Sequence, residues 1–232
     1  MDNKQLYEIE TKNLRASKKS YSSLSLFIRQ NIRKKNILEV KRTLPFLYIN
    51  VAMVVENTLY QLIHNKDVPL EVLKAVYDAH SLHDKWTAFI KKSVYVHFQM
   101  EFTELPFSDR MKYTELLNFI DTYIKSLYEI RNKFAHGQLN QALNNSRDTD
   151  NIETTKIINK INYFDARLIY EVFTKVFYDM FLYGSVSQKA FSRQFDKKYS
   201  IFEKLKIRWD SKAYPDYCKE LVLRENSFTH QV

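Results

Sequence analysis

The stretch Met111–His136, MKYTELLNFIDTYIKSLYEIRNKFAH, decides the fold of this chain. Leu116, Ile120, Tyr123, Leu127, Ile130 and Phe134 recur at three- and four-residue intervals and fall on one side of a helix. Gly137 follows at once and closes the helix, in the place where a left-handed residue commonly ends one. A buried apolar stripe of this length predicts a core helix, so the rest of the chain is read outward from it.

Upstream, a turn through Asn65–Pro69 leads into a helical pattern over about 70–100, with Leu73, Val76, Tyr77 and His80 on one side. Trp86, Phe89 and Ile90 continue it, and a local break is expected near Ser81–His83. Before that, Ile37–His64 reads as a long core helix. Phe46, Ile49, Met53, Leu59, Tyr60 and Ile63 give its spacing, and Pro45 predicts a break or kink near its start. Leu105–Arg110, with Pro106, reads as a connection.

Downstream, Gln138–Asn151 is polar and rich in Asn, Asp and Ser, the expected flexible loop. An aromatic helix over about 155–183 follows, carrying Phe164, Phe173, Phe177 and Phe181. Only two glycines and four prolines occur, and no Asn-Gly or Asp-Gly hairpin signal. Both glycines, Gly137 and Gly184, follow helical patterns. The prediction is an all-α antiparallel helical bundle over residues 37–185. A basic N-terminal helical arm, 1–36, with a helix around Leu24–Ile32, precedes it. A basic, aromatic helical extension, 186–232, packs on it.

One cysteine, Cys218, allows neither an internal disulfide nor a cysteine-based zinc site. The polar start predicts no signal peptide, and no apolar run approaches the ~18 residues of a membrane span, so no membrane association is expected. These readings point to the cytoplasm. The net charge of +9 is concentrated: residues 1–44 hold eleven Lys and Arg against four acids. A second basic stretch runs from Lys189 to Lys212. Such fields attract polyanions through counterion release, which favours a nucleic acid as partner over an acidic protein or a merely solvated surface.

At about 100° per residue, Asn132 and His136 lie roughly 160° from the apolar stripe. Four residues apart, they share a face, and Asn132 is expected to orient the His136 ring. Arg131 sits on the flank with a side chain long enough to reach the same edge, and Ala135 is small enough to admit a close neighbour. An alternative is an ordinary helix ending, in which His136 complements the helix dipole and Arg131 pairs with a carboxylate. The bare spacing recurs at Arg224 and His230, near the C-terminus and without an apolar stripe, and that match is set aside.

The run Arg131-Asn132-Lys133-Phe134-Ala135-His136-Gly137 resembles the signature of the HEPN superfamily of helical nucleases, an Arg, usually followed by a polar residue, with four to six residues between it and a His. That resemblance covers residues 131–137 specifically and the bundle only in character. It implies a metal-independent endoribonuclease without cofactor, working as a homodimer with a composite site, often a toxin or antiviral effector with an antitoxin or other defence partner. It further implies a supporting acid on a neighbouring helix, for which Glu56 is the candidate. A plain surface carboxylate is the alternative there. Where some members carry a tyrosine two residues after the histidine, this chain has Gln138, so modification at that position is not expected.

The chemistry fits the residue types. The RNA 2′-hydroxyl attacks the adjacent phosphorus, His136 moves a proton near neutral pH, and Arg131 neutralises charge on the phosphoryl oxygens. A non-catalytic HEPN-like module that binds RNA or protein is the other reading, and a helical DNA-binding or scaffolding protein the third. His80, His83 and Asp84 have helical spacing that three metal ligands could use, but read as packing or interface residues. Phe191, Phe195, Tyr199, Phe202 and Trp209 could stack bases, yet at helical spacing they read as packing.

Overall fold

Six apolar residues of one helix lie between 0% and 4% exposed, namely Leu116, Ile120, Ile124, Leu127, Ile130 and Phe134, and the rest of the chain is wrapped around them. The computed structural model describes residues 3–144, 146–182 and 188–229; side chains at 182, 188–191 and 224–229 are outside what it describes. The chain is all-α, 82% helical, and among the described residues the sole β feature is an isolated bridge between Leu143 and Asp150.

In order, the helices are α1 Asn3–Arg33, α2 Ile37–Ile63, α3 Leu70–Asp78, α4 Leu82–Phe98, α5 Phe107–Ala135, α6 Ile152–Lys160 and α7 Tyr163–Glu171. A π-helical turn, Val172–Phe177, joins α7 to α8 Tyr178–Leu182, and α9 Gln188–Asp210 and α10 Tyr214–Thr229 complete the chain. The N-terminal segment is one 31-residue helix rather than a short one near Leu24–Ile32. It packs along α2 and sends Tyr21, Ile28 and Ile32 into the common core.

Several expectations need correction. In α2 the expected stripe holds only in part: Leu59 and Ile63 are buried, but Phe46 and Met53 are 57% and 43% exposed, and Leu44, Leu47, Val51, Val54, Val55 and Leu62 make up the rest of the buried face. The helix is covered by α1, α5 and α7 together, so its buried side is wide and Phe46 and Met53 fall outside it. Pro45 sits inside α2 without ending it. By length and composition α2 could cross a bilayer, contrary to the expectation, but 67% of its apolar window is buried inside the bundle.

The break expected near Ser81–His83 falls at Ala79–Ser81, where the Ser81 hydroxyl caps Asp84 N and starts α4. Tyr77 and His80 are consequently exposed rather than part of a continuous stripe. The aromatic helix also breaks, at Asn162, whose side chain caps Asp165 N at 2.9 Å. Beyond it, the π turn directs Phe173 and Phe177 onto Trp86, with ring centroids at 4.8 and 5.8 Å.

The C-terminal helices belong to the same core. Phe195 stacks on Tyr113 at 4.5 Å and Trp209 on Phe164 at 4.2 Å. Buried Glu171 receives Arg167 Nε at 2.7 Å, and Arg167 also donates to the Tyr217 hydroxyl at 3.1 Å, tying α7 to α10. Gly184 and His230 lie outside the described residues.

Two substitutions test this packing. The Tyr113 hydroxyl is fully buried and finds no hydrogen-bond partner among the described residues. Tyr113→Phe removes that desolvated group and is expected to raise unfolding stability, by up to about 1 kcal/mol. Urea titration reads the difference, and a loss above ~1 kcal/mol would mean the hydroxyl is satisfied after all. At the end of α5, Gly137 has φ +76° with open space where a Cβ would stand. Gly137→Ala therefore meets backbone strain alone, a cost of roughly 1–2 kcal/mol in the same titration.

Candidate functional site

The end of α5 is fixed by its hydrogen bonds. Gly137 N–H bonds to Phe134 O at 3.0 Å and Gln138 N–H to Lys133 O at 2.9 Å, the paired pattern of a left-handed helix stop. His136 is the last residue before that reversal, and its side chain is exposed. The imidazole has no hydrogen bond or ion pair among the described residues. Glu129, Asn132, Lys133 and His136 lie at i, i+3, i+4 and i+7 and line one open cleft of about 710 Å³.

The facing wall is the segment between α5 and α6, which sequence suggested would be a flexible loop. It is tied at many points instead. Gln138 is buried, and its Oε1 accepts Leu143 N at 2.7 Å; Lys133 Nζ donates to Leu143 O at 2.5 Å. Asn151 N bonds Ala142 O at 2.8 Å, and Ala142 N bonds Thr155 Oγ1 at 2.9 Å. Asn151 also caps α6, accepting from Thr154 N at 3.0 Å. Asn144, Arg147, Asn151 and Thr154 complete the cleft, so every lining residue is polar or charged.

The four expected site residues are distributed unevenly. His136 and Asn132 line the cleft. Arg131 is half-buried and does not itself line the cleft, but its Nη1 donates to Asn132 Oδ1 at 3.0 Å. Asn132 thus holds the guanidinium rather than the imidazole: a side chain one residue away with a strong donor competes better for the amide oxygen than a ring at the exposed cap. Glu56 is half-buried on α2, does not line the cleft, and makes no hydrogen bond or ion pair among the described residues. Its neighbour Asn57 reaches the other way, to Ser17 Oγ on α1 at 2.9 Å.

Lys133, Glu129, Asn144, Arg147, Asn151 and Thr154 are cleft residues that sequence reasoning did not assign. Stepping back from His136 by helical intervals would have found Lys133 and Glu129, and Glu129 does not pair with Lys133 as its spacing suggests. Arg147 carries no periodic signal, because its place depends on how the loop folds back.

Nearby, His83 lies between two carboxylates, Nδ1 at 3.1 Å from Asp84 and Nε2 at 3.3 Å from Asp121. Hydrogen bonds from Ser81 and then His83 hold the Asp84 carboxyl below its usual range. Among the described residues no group of three or more His, Cys, Asp or Glu side chains is arranged to hold a metal ion. Phe195, Tyr199, Phe202 and Trp209 are buried and unavailable to stack bases, and the Phe191 side chain is outside the described residues.

Along α1, Lys4, Lys12, Arg15 and Lys19 are exposed and stand in no ion pair among the described residues. No protein-family model, no curated protein and no solved structure matches the chain.

Proposed function

We propose that this protein is a metal-independent endoribonuclease of HEPN type, with His136 and Arg131 as its reacting pair. The observation that carries the reading is a free, exposed imidazole at the end of α5, in an all-polar cleft, with the Arg131 guanidinium bonded to Asn132, a lining residue of the same cleft. The resemblance of residues 131–137 supplies the family and the twofold partner. Exposed Leu139 and Ile152, beside the cleft residues Gln138 and Asn151, offer apolar surface for a second copy that completes the site.

The reaction uses the substrate's own nucleophile. The 2′-hydroxyl loses its proton and bonds to phosphorus; the P–O5′ bond breaks, and the departing 5′-oxygen takes up a proton. The products are a 2′,3′-cyclic phosphate and a 5′-hydroxyl. His136 handles one of these two protons, and Arg131 offers paired N–H donors to the phosphoryl oxygens as negative charge grows there. Asn132 keeps that guanidinium from turning to solvent. Within this reading Glu56 is at most a remote support. Action as a toxin or antiviral effector, with an antitoxin or other defence partner, follows from the same resemblance.

Purified protein is expected to cut single-stranded RNA in EDTA and to leave 2′,3′-cyclic ends. His136→Ala is expected to lower the rate by about 10²–10⁴ and Arg131→Ala by about 10²–10³, with the helical circular dichroism of both unchanged. Cleavage that stops in EDTA, or survives His136→Ala, would overturn the mechanism. RNA binding without cleavage would favour a non-catalytic module. Growth arrest on expression, relieved by either substitution, is the expected sign of an effector role.

A further inference from the structure

The loop wall of the cleft carries one more cation. Arg147 is exposed and lines the cleft with His136, and its guanidinium has no hydrogen bond or ion pair among the described residues. The carboxylate next to it is already engaged. Asp148 Oδ1 accepts Asn144 Nδ2 at 2.5 Å and Ser146 Oγ at 2.9 Å, and its backbone N–H bonds Asn144 Oδ1 at 3.2 Å. Those neutral donors hold the Asp148 carboxyl below its usual range without discharging Arg147.

The backbone at this residue is also unusual. Arg147 has φ +62°, in the left-handed region that glycine and asparagine occupy readily and that longer side chains avoid. The turn, closed by Arg147 N–H to Asn144 O at 3.2 Å, would be easier to form with either of those residues. An unpaired arginine there contributes nothing visible to the fold. A strained residue aimed into a cleft is better explained by what the cleft holds.

The chemistry of the cleft narrows the ligand. Small-molecule sites are mostly apolar, whereas this one has no aromatic or aliphatic lining residue. It offers neither a hydrophobic slot nor a base-stacking platform, so a ligand must be held through its charged backbone. Two guanidiniums stand on separate elements, Arg131 at the helix edge and Arg147 on the loop, and each suits the paired oxygens of a phosphate.

Building on the ribonuclease reading, we infer that Arg147 is a second phosphate clamp. The cleft takes a single RNA strand that presents one phosphodiester to His136 and Arg131 and a neighbouring one to Arg147. The strand therefore runs from the end of α5 across the loop at 144–148, and with no aromatic platform it is held with little preference among bases.

The test is binding rather than turnover. A fluorescent 2′-O-methyl oligouridylate has no free 2′-hydroxyl and is not cut, so its anisotropy with the full chain gives Kd from 50 to 200 mM KCl. Arg147→Asn removes the cation while suiting the turn. It is expected to weaken binding roughly three- to tenfold, as loss of an exposed charge-assisted contact does. The slope of log K against log salt should fall by about 0.7, the signature of one phosphate on a single strand. Melting temperature should not drop, and Arg147→Lys should restore the slope.

An unchanged slope overturns the clamp, as does weakened binding that tracks a lowered melting temperature and resists Arg147→Lys. If the oligomer binds with the expected slopes but RNA is never cut, the nuclease reading falls and the clamp stands. If the wild-type chain does not bind the oligomer, the clamp falls, and the nuclease reading stands or falls with cleavage of single-stranded RNA.

Discussion

Everything at the cleft depends on the azimuth of α5. Its six buried apolar side chains each gain roughly 1.5–3 kcal/mol from leaving water, so turning the helix by one residue would expose most of that face. The positions between them are therefore committed to the outside. Glu129, Asn132, Lys133 and His136 line a cleft because Leu127, Ile130 and Phe134 line the core. Gly137 then turns the chain back, since its positive φ permits the reversal without a Cβ penalty. A helix that ran one turn further would carry its next residues into solvent and leave no facing wall.

That wall is irregular in sequence but well tied. Leu143 is held from both sides, its N–H by Gln138 and its carbonyl by Lys133, and the bridge to Asp150 closes the segment against α6. Lys133 thereby links the helix end to the loop it faces. The rest of the fold brings these parts to the surface in one orientation. The aromatic cluster around Trp86, Phe173 and Phe177 packs α4 against the π turn, and Arg167 with Glu171 and Tyr217 secures α10. Placing the buried Glu171 carboxylate costs desolvation that its Arg167 contact offsets. Along α1, the exposed Lys4, Lys12, Arg15 and Lys19 have no such partner among the described residues.

The all-α class was legible because it rests on periodicity, which tertiary packing here obeys over long stretches. The α5 stripe and the Gly137 stop are local, and both are readable from the chain. The α2 stripe was partly misjudged because a helix covered on several sides has no single apolar edge; Phe46 and Met53 fit the period and yet point outward. The break near Ser81 was legible, whereas that at Asn162 was hidden, since capping residues are also common inside loops and only its bond to Asp165 N distinguishes it. Of the site, the helix-borne half could be read by spacing. Arg147 and Asn144 could not, because a loop has no period and its register is set by partners far from either residue.

Under the proposed reading, the two halves of the cleft divide their tasks along the same line. A buried helix end fixes direction, which suits groups that must meet a reacting atom within a few tenths of an ångström. A tied loop fixes position less tightly, which suffices for a cation whose attraction falls off gradually with distance. The Asn132 contact follows this logic: by accepting from Arg131, it gives a flexible guanidinium some of the rigidity of the helix beneath it. His136 needs no such restraint from Asn132, since only its ring torsions remain free once the backbone N–H is bonded to Asn132 O and Lys133 O. Under the proposed chemistry a ring that can still turn is an advantage, because the proton it moves lies on the substrate and the ring must meet it there.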